Sequence, residues 1–280
     1  MPRLLIATVL WTLPFGLIPR YLLQVDPDVL AITRLGLGAL ALTVLIGGRA
    51  TRPRTSWLLV GAIQFGVCYG AYLRAYQYLP GHAIALLTST TPLWILILHR
   101  QGHLWRGRSL LAVVLAVSGA VLLSTADLDP DPDWWIGVAW TQLANAAFAF
   151  GQLRWRASEK IERQHPMATH AWMLLAGAFV LAPFALMNLP GRLDQIDGKG
   201  IGALLYLGIG ATGLGFYLWN EGARQVSVSR LAVMNNLKAP LAALVAVWIF
   251  GEDAAPLPLA LSMSCLLAAM HLSTTHKLGQ

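Results

Sequence analysis

The chain is a succession of ten long apolar blocks, separated by short gaps rich in charge, proline or glycine. A helix needs roughly 20 residues to cross the hydrocarbon core of a bilayer, and the blocks have that length. They predict spans over 3–24, 29–47, 57–79, 82–99, 109–125, 135–153, 168–189, 200–220, 229–249 and 256–274. Composition excludes the main alternative. Charged residues make up only 12% of the chain and hydrophobic ones 56%, whereas a soluble domain carries about 25% charged residues. The first block has a basic start like a signal peptide, but no small-x-small site precedes Arg20 and many blocks follow, so it reads as the first span. Cys68 and Cys265 lie inside apolar blocks and read as packing residues, not as a disulfide.

The net charge of +7 comes from Lys and Arg in the gaps. With the N-terminus placed inside, 13 of the 20 fall in cytoplasmic segments: Arg3, Arg49, Arg52, Arg54, Arg100, Arg106, Arg108, Arg154, Arg156, Lys160, Arg163, Arg224 and Lys277. Only Arg192 and Lys199 fall in outer loops. This asymmetry is read by the insertion machinery and predicts both termini in the cytoplasm. It also removes nucleic acid as the partner that the basic balance would otherwise suggest.

A weak internal repeat is present. Val9-x-Trp11-Thr12 recurs as Val138-x-Trp140-Thr141. Tyr69, Ala75, Gln77, Pro92 and Leu93 recur as Tyr217, Ala223, Gln225, Pro240 and Leu241, all at one offset. The expected organisation is a first repeat over 1–126, an acidic outer linker over 127–134 and a second repeat over 135–280. Five spans in each half put the halves in opposite orientations. The fold class is therefore all-α integral membrane, with ten transmembrane helices in two inverted five-helix repeats, the plan of many secondary transporters.

The runs Ala71–Leu93 and Tyr217–Glu252 resemble the third and fourth helices of EamA domains in the drug/metabolite transporter superfamily. Leu10-Trp11 and Arg34 also fall where that family favours them. The resemblance covers essentially the whole chain as two EamA repeats. It departs at one place: the family's Gly-Glu pair after the fourth helix is present as Gly251-Glu252, but the first repeat reads Gln101-Gly102-His103. The family includes amino acid exporters, among them YddG-type aromatic amino acid exporters, and carriers of other metabolites. The resemblance implies export and a bacterial inner-membrane location.

Lys238 is the sharpest single residue. It lies mid-span, where a Lys costs about 2.5–3.5 kcal/mol on insertion scales, and no Asp or Glu occupies the middle of any span. One reading is a cation awaiting a substrate anion. The other is a Lys that snorkels or bonds a freed carbonyl. Pro240 frees the carbonyl of Asn236, and Pro92 frees that of Thr88. Asn235 shares a helix face with Lys238. Thr141, Asn145, Phe148 and Gln152 form a stripe on span six. Trp11 and Trp140 stack a substrate or pack. Tyr69 lies on span three, and Tyr217 belongs with Tyr206, Gly210 and Gly213 to a stripe on span eight that allows close helix approach. Pro14 kinks span one and marks either a gate or a structural bend. Arg20 and Arg34 fit an anion-attracting vestibule or headgroup contacts.

Together these residues predict a secondary carrier of amino acid-like, carboxylate-bearing metabolites, working by alternating access. The substrate-binding set is Lys238, Asn235, Asn236, Asn145, Trp11, Tyr69, Trp140 and Tyr217, with Pro14, Pro92 and Pro240 at helix breaks. Another anionic metabolite, such as an organic acid, nucleotide sugar or opine-type metallophore, is the alternative within transport. No nucleotide loop, nucleophile elbow or zinc motif is present in the sequence, so neither an enzyme nor a cofactor is expected. The expected partners are a small-molecule substrate and the bilayer, with the chain a monomer or weak homodimer.

Overall fold

The computed structural model describes residues 2–48, 54–99, 111, 114, 115, 118, 132–158, 165–226, 228–253 and 255–274. Its regular elements among these are helices. Most of the predicted span 109–125 and of the linker 127–134 lies outside the described residues.

Span one is two helices, α1 (Pro2–Leu10) and α2 (Pro14–Tyr21). Pro14 has no N–H for the Leu10 carbonyl four residues back, and that carbonyl accepts instead from the Tyr206 hydroxyl at 2.8 Å. Span two is α3 (Pro27–Leu45), capped by Asp26, whose carboxylate accepts from the backbone N–H of Asp28 and Val29. Span three is α4 (Thr55–Gly61), a π-helical stretch Ala62–Val67, and α5 (Cys68–Ala75). Span four is α6 (Gly81–Leu87), a 3-10 turn Thr88–Thr90, and α7 (Thr91–His99). The Thr88 carbonyl, which Pro92 cannot serve four residues on, accepts from the Thr91 backbone N–H and from the Thr91 hydroxyl at 2.7 Å.

In the second half, α8 (Trp134–Arg156) and α9 (Pro166–Met187) are unbroken. Next come α10 (Gly198–Leu205), a second π-helical stretch Tyr206–Leu214, and α11 (Gly215–Ala223). Finally α12 (Val228–Trp248) runs helically through Pro240, and α13 (Pro256–Thr274) follows. Thus both third-in-repeat spans carry a π-helical segment, at corresponding places. Among the described residues, five stretches are long and apolar enough to cross a membrane: Pro2–Tyr21, Pro27–Leu45, Thr55–Ala75, Pro166–Met187 and Gly198–Ala223.

Contacts among the described residues give the relative directions of the first four spans of each half. Leu4, at the start of α1, packs on Gly222 near the end of α11. Arg156, at the end of α8, donates to the Ala223 and Val226 carbonyls. Trp57, at the start of α4, meets Trp155. The first span therefore starts at the end of the bundle where α8 finishes, and α4 starts where α11 finishes. Likewise the Asp26 N–H, before α3, donates to the Gly191 carbonyl, beyond α9. Glu252, just past α12, accepts from the first N–H groups of α6. Among the described residues, the first four spans each run antiparallel to the span in the equivalent sequence position of the second half. One end of the bundle gathers Arg3, Arg54, Arg154, Arg156 and Arg224, the other Asp26, Asp28, Asp133 and Glu252.

Glycines set the closest approaches. A Cβ on Gly38 would lie 3.0 Å from the Gly213 nitrogen, and one on Gly177 would lie 2.8 Å from the Gly66 nitrogen. These two contacts, α3 on the second π-helical stretch and α9 on the first, are equivalent in the two halves. Small residues permit such backbone contact where lipid supplies no hydrophobic drive between helices. The outer surface is apolar: Phe179 is 81%, Met187 84% and Trp248 80% exposed. Such a surface suits hydrocarbon, not water.

Candidate substrate site

A cavity lies between the halves, bounded by spans one, two, three, four, six, eight and nine. Its walls include Trp11, Pro14 and Phe15 from the break in span one, Arg34 from α3, Cys68, Tyr69 and Tyr72 from α5, and Thr88 from the 3-10 turn. Asn145 and Phe148 come from α8, Phe216 from α11 and Lys238 from α12. The broken helices thus converge on one place, where side chains satisfy their irregular backbone.

Two cations face this space. Lys238 is 7% exposed. Its Nζ stands 5.2 Å from the ring centroids of both Trp11 and Phe148. Among the described residues, no carboxylate lies within ion-pair distance of it. Arg34 is 2% exposed and also has no acidic partner there. Its Nη2 makes long bonds of 3.4 Å to the Tyr69 and Thr212 hydroxyls, and its carbon Cζ lies 4.8 Å from the Tyr69 ring centroid. Its Nε and Nη1 have no hydrogen-bond partner. Cation–π contacts soften the burial of a charge but do not replace an anion.

The aromatic floor is continuous. Trp11 meets Phe216 at 4.7 Å, Trp219 at 5.0 Å and Phe148 at 5.9 Å between centroids. Its indole N–H donates to the Ala211 carbonyl at 2.8 Å. That carbonyl belongs to the π-helical stretch, whose wider turns disturb the usual backbone pairing. Asn145 Nδ2 donates to the Leu87 carbonyl at 3.0 Å and to the Thr90 hydroxyl at 3.1 Å, bracing the break in span four.

Of the sequence-expected residues, Lys238, Asn145, Trp11, Tyr69 and Pro14 line the cavity. Asn235 is fully buried one turn away. Pro92 is half-buried in α7, beside the 3-10 turn. Trp140 and Tyr217 are not brought to the cavity. Trp140 lies under the Arg74 guanidinium, 5.7 Å away, and Tyr217 packs edge-on against His170. The side chains of Asn236 and Pro240 lie outside the described residues. Arg34 is the residue that sequence reasoning left between two roles. Its neighbours one turn either way, Ala31 and Gly38, are small and buried, a pattern that marks a protein-facing side.

Comparison with known proteins decides the class. The model of the EamA-like transporter family matches residues 3–125 and again 135–274. The chain belongs to the EamA-like transporter family. Members of this family are membrane transporters rather than enzymes, and this one is a multi-pass membrane protein. A biotin transporter of Escherichia coli (strain K12) is 33% identical over 260 residues, covering 89% of this chain and 85% of that one. A biotin transporter of Salmonella typhimurium is 32% identical over 261 residues, with the same coverage. A probable biotin transporter of Pseudomonas aeruginosa is 33% identical over 280 residues, covering 96% of each. A solved crystal structure aligns over 98% of this chain and 95% of its own with a TM-score of 0.73, at 19% identity, and so shares the fold.

Proposed function

We propose that this EamA-family member carries biotin, or a closely similar monocarboxylate, across a bacterial inner membrane by alternating access. The observation that carries the reading is the pair Arg34 and Lys238: two buried cations, without acidic partners among the described residues, facing one aromatic-walled cavity. Intramembrane charges mark substrate pathways by default. Biotin supplies a carboxylate at the end of an aliphatic chain, which suits two cations approached through apolar walls. The names of the relatives point the same way.

The amino acid substrate expected from the sequence fits less well. A zwitterion brings an ammonium group into the same space, and the described residues of the wall offer two cations and no carboxylate to receive it. Alternating access draws support from the antiparallel equivalents and from the broken spans at the cavity. Two inverted five-helix repeats, with both termini on the Arg-rich cytoplasmic side, complete the reading.

Counterflow in proteoliposomes tests it, with labelled biotin and a panel of labelled amino acids. Wild type exchanges biotin and not the amino acids. Arg34→Gln and Lys238→Ala each lower exchange at least about tenfold, the loss of one charge-assisted hydrogen bond to a carboxylate. Amino acid exchange without biotin exchange overturns the substrate; unchanged exchange in both variants overturns the site.

A further inference from the structure

Directly on the Arg-rich side of the cavity floor lie four amide side chains from four spans. Each sits one helical turn beyond a cavity-lining residue: Gln64 before Cys68, Gln152 after Phe148, Asn220 after Phe216, and Asn235 before Lys238. None is more than 1% exposed. They converge. The Gln64 side chain packs on Gly151, beside Gln152, and Gln64 Nε2 donates to Asn220 Oδ1 at 3.5 Å. Asn235 and Gln152 stand one turn from Lys238 and Phe148, which touch.

Asn220 is also held by His170 Nε2 at 2.9 Å. The rest of the layer is under-satisfied. Gln64 Oε1, both polar atoms of Gln152, both of Asn235 and the indole nitrogen of Trp219 are buried without a partner. Buried polar groups are almost always paired, so this concentration at one level needs a reason. The unpaired atoms are three nitrogens and three oxygens, all on uncharged side chains. That set matches neither a carboxylate, which takes donors only, nor a cation, which takes acceptors only. It matches a group with both, such as a cyclic urea.

We propose that Gln64, Gln152, Asn220 and Asn235 form a hydrogen-bonding station for the substrate's uncharged polar end, a cyclic urea or amide, engaged when the Trp11–Phe148–Phe216 floor parts. The assignment rests on the carboxylate reading above for which end of the solute it serves. With the carboxylate at Arg34 and Lys238, the far end of an extended solute points at this layer. The aromatic floor stands between the two, so passage brings the polar ring from an apolar wall to amides.

Affinities of purified protein in detergent test this, with biotin, heptanoate and 2-imidazolidinone as probes. Heptanoate has the carboxylate and chain without the urea; 2-imidazolidinone is the urea without the carboxylate. The variants are Gln152→Met and Asn235→Leu, which keep volume and remove unpaired polar atoms. Wild type binds biotin at least about tenfold tighter than heptanoate, and each variant loses most of that margin. Heptanoate affinity stays within about twofold, and the melting temperature holds or rises, because an unsatisfied group has been removed. Variants that keep the margin overturn the station and leave the carboxylate reading intact. So do variants that lose affinity for both probes and melt earlier, since that marks a structural role. If wild type binds neither carboxylate, the carboxylate reading falls, and 2-imidazolidinone decides the station alone: binding lost in both variants supports it, and binding absent or unchanged overturns it.

Discussion

The indole of Trp11 and the carbonyl of Ala211, 200 positions apart in sequence, are joined by a hydrogen bond of 2.8 Å. One residue lies in the break of span one, the other in a π-helical stretch of span eight. The same two irregularities are joined again by the Tyr206 hydroxyl and the Leu10 carbonyl. Each break thus satisfies a backbone group with a side chain from the other. Trp11→Phe keeps the ring beneath Lys238 and removes one of the two ties. We expect a loss of about 1–2 kcal/mol, read as a lower melting temperature in detergent, with carboxylate affinity largely kept. Trp11→Leu loses the ring too and weakens both.

Lys238→Met keeps length and apolar contact while deleting a charge that has no acidic partner among the described residues. Removal of a buried, uncompensated ion is neutral or favourable to the fold. The variant should therefore melt no earlier than wild type yet lose carboxylate counterflow about tenfold or more. A melting temperature that falls with the activity would instead make Lys238 a structural residue.

Glu252 accepts from the backbone N–H of Gly81 at 3.0 Å and of His82 at 2.8 Å, and its carboxylate meets His82 Nδ1 at 2.8 Å. The Gly251-Glu252 pair thereby caps the start of one half's fourth span from the end of the other's. Glu252→Ala should cost about 1–3 kcal/mol. His82→Ala, made on top of it, should cost less than in wild type, because the two share one contact. Thermal melts of the four proteins in the cycle read the coupling.

Gly177→Leu forces a side chain into the backbone of Gly66 and the Cβ of Phe65, 2.7 Å from the new Cβ. Overpacking of this kind costs about 1–3 kcal/mol. Gly36→Ala, on the same span as Gly38, meets nothing within 4 Å and should leave the melting temperature within a few degrees.

Among the described residues most helix ends were legible, because apolar length is nearly the whole signal in a membrane chain, though the third span stops at Ala75 and not at 79. The block 256–274 matches α13, and 29–47 differs from Pro27–Leu45 by two residues at each end. Pro14 was legible as a break, since a proline inside a helix has one backbone consequence. The π-helical stretches were not. They carry no residue type of their own and arise from how span three packs on α9 and span eight on α3. The sequence singled out Lys238 by its depth, but Arg34 lies closer to one end, where headgroups compete as partners, and only the packing of α3 puts it at the cavity wall. Trp140 and Tyr217 were grouped with Trp11 and Tyr69 by the repeat. A space displaced from the centre of an inverted pair meets different side chains from each half, so sequence equivalence does not carry over to it.

Asp26 holds two helices with one carboxylate. Oδ1 accepts from the first turn of α3, and Oδ2 accepts from the Asn188 amide just past α9. Sliding one helix along the other would strip the cap and the bridge together, whereas a small rotation about that corner leaves both intact. The junction is built as a rivet: under the alternating access proposed above, it would favour pivoting over shear.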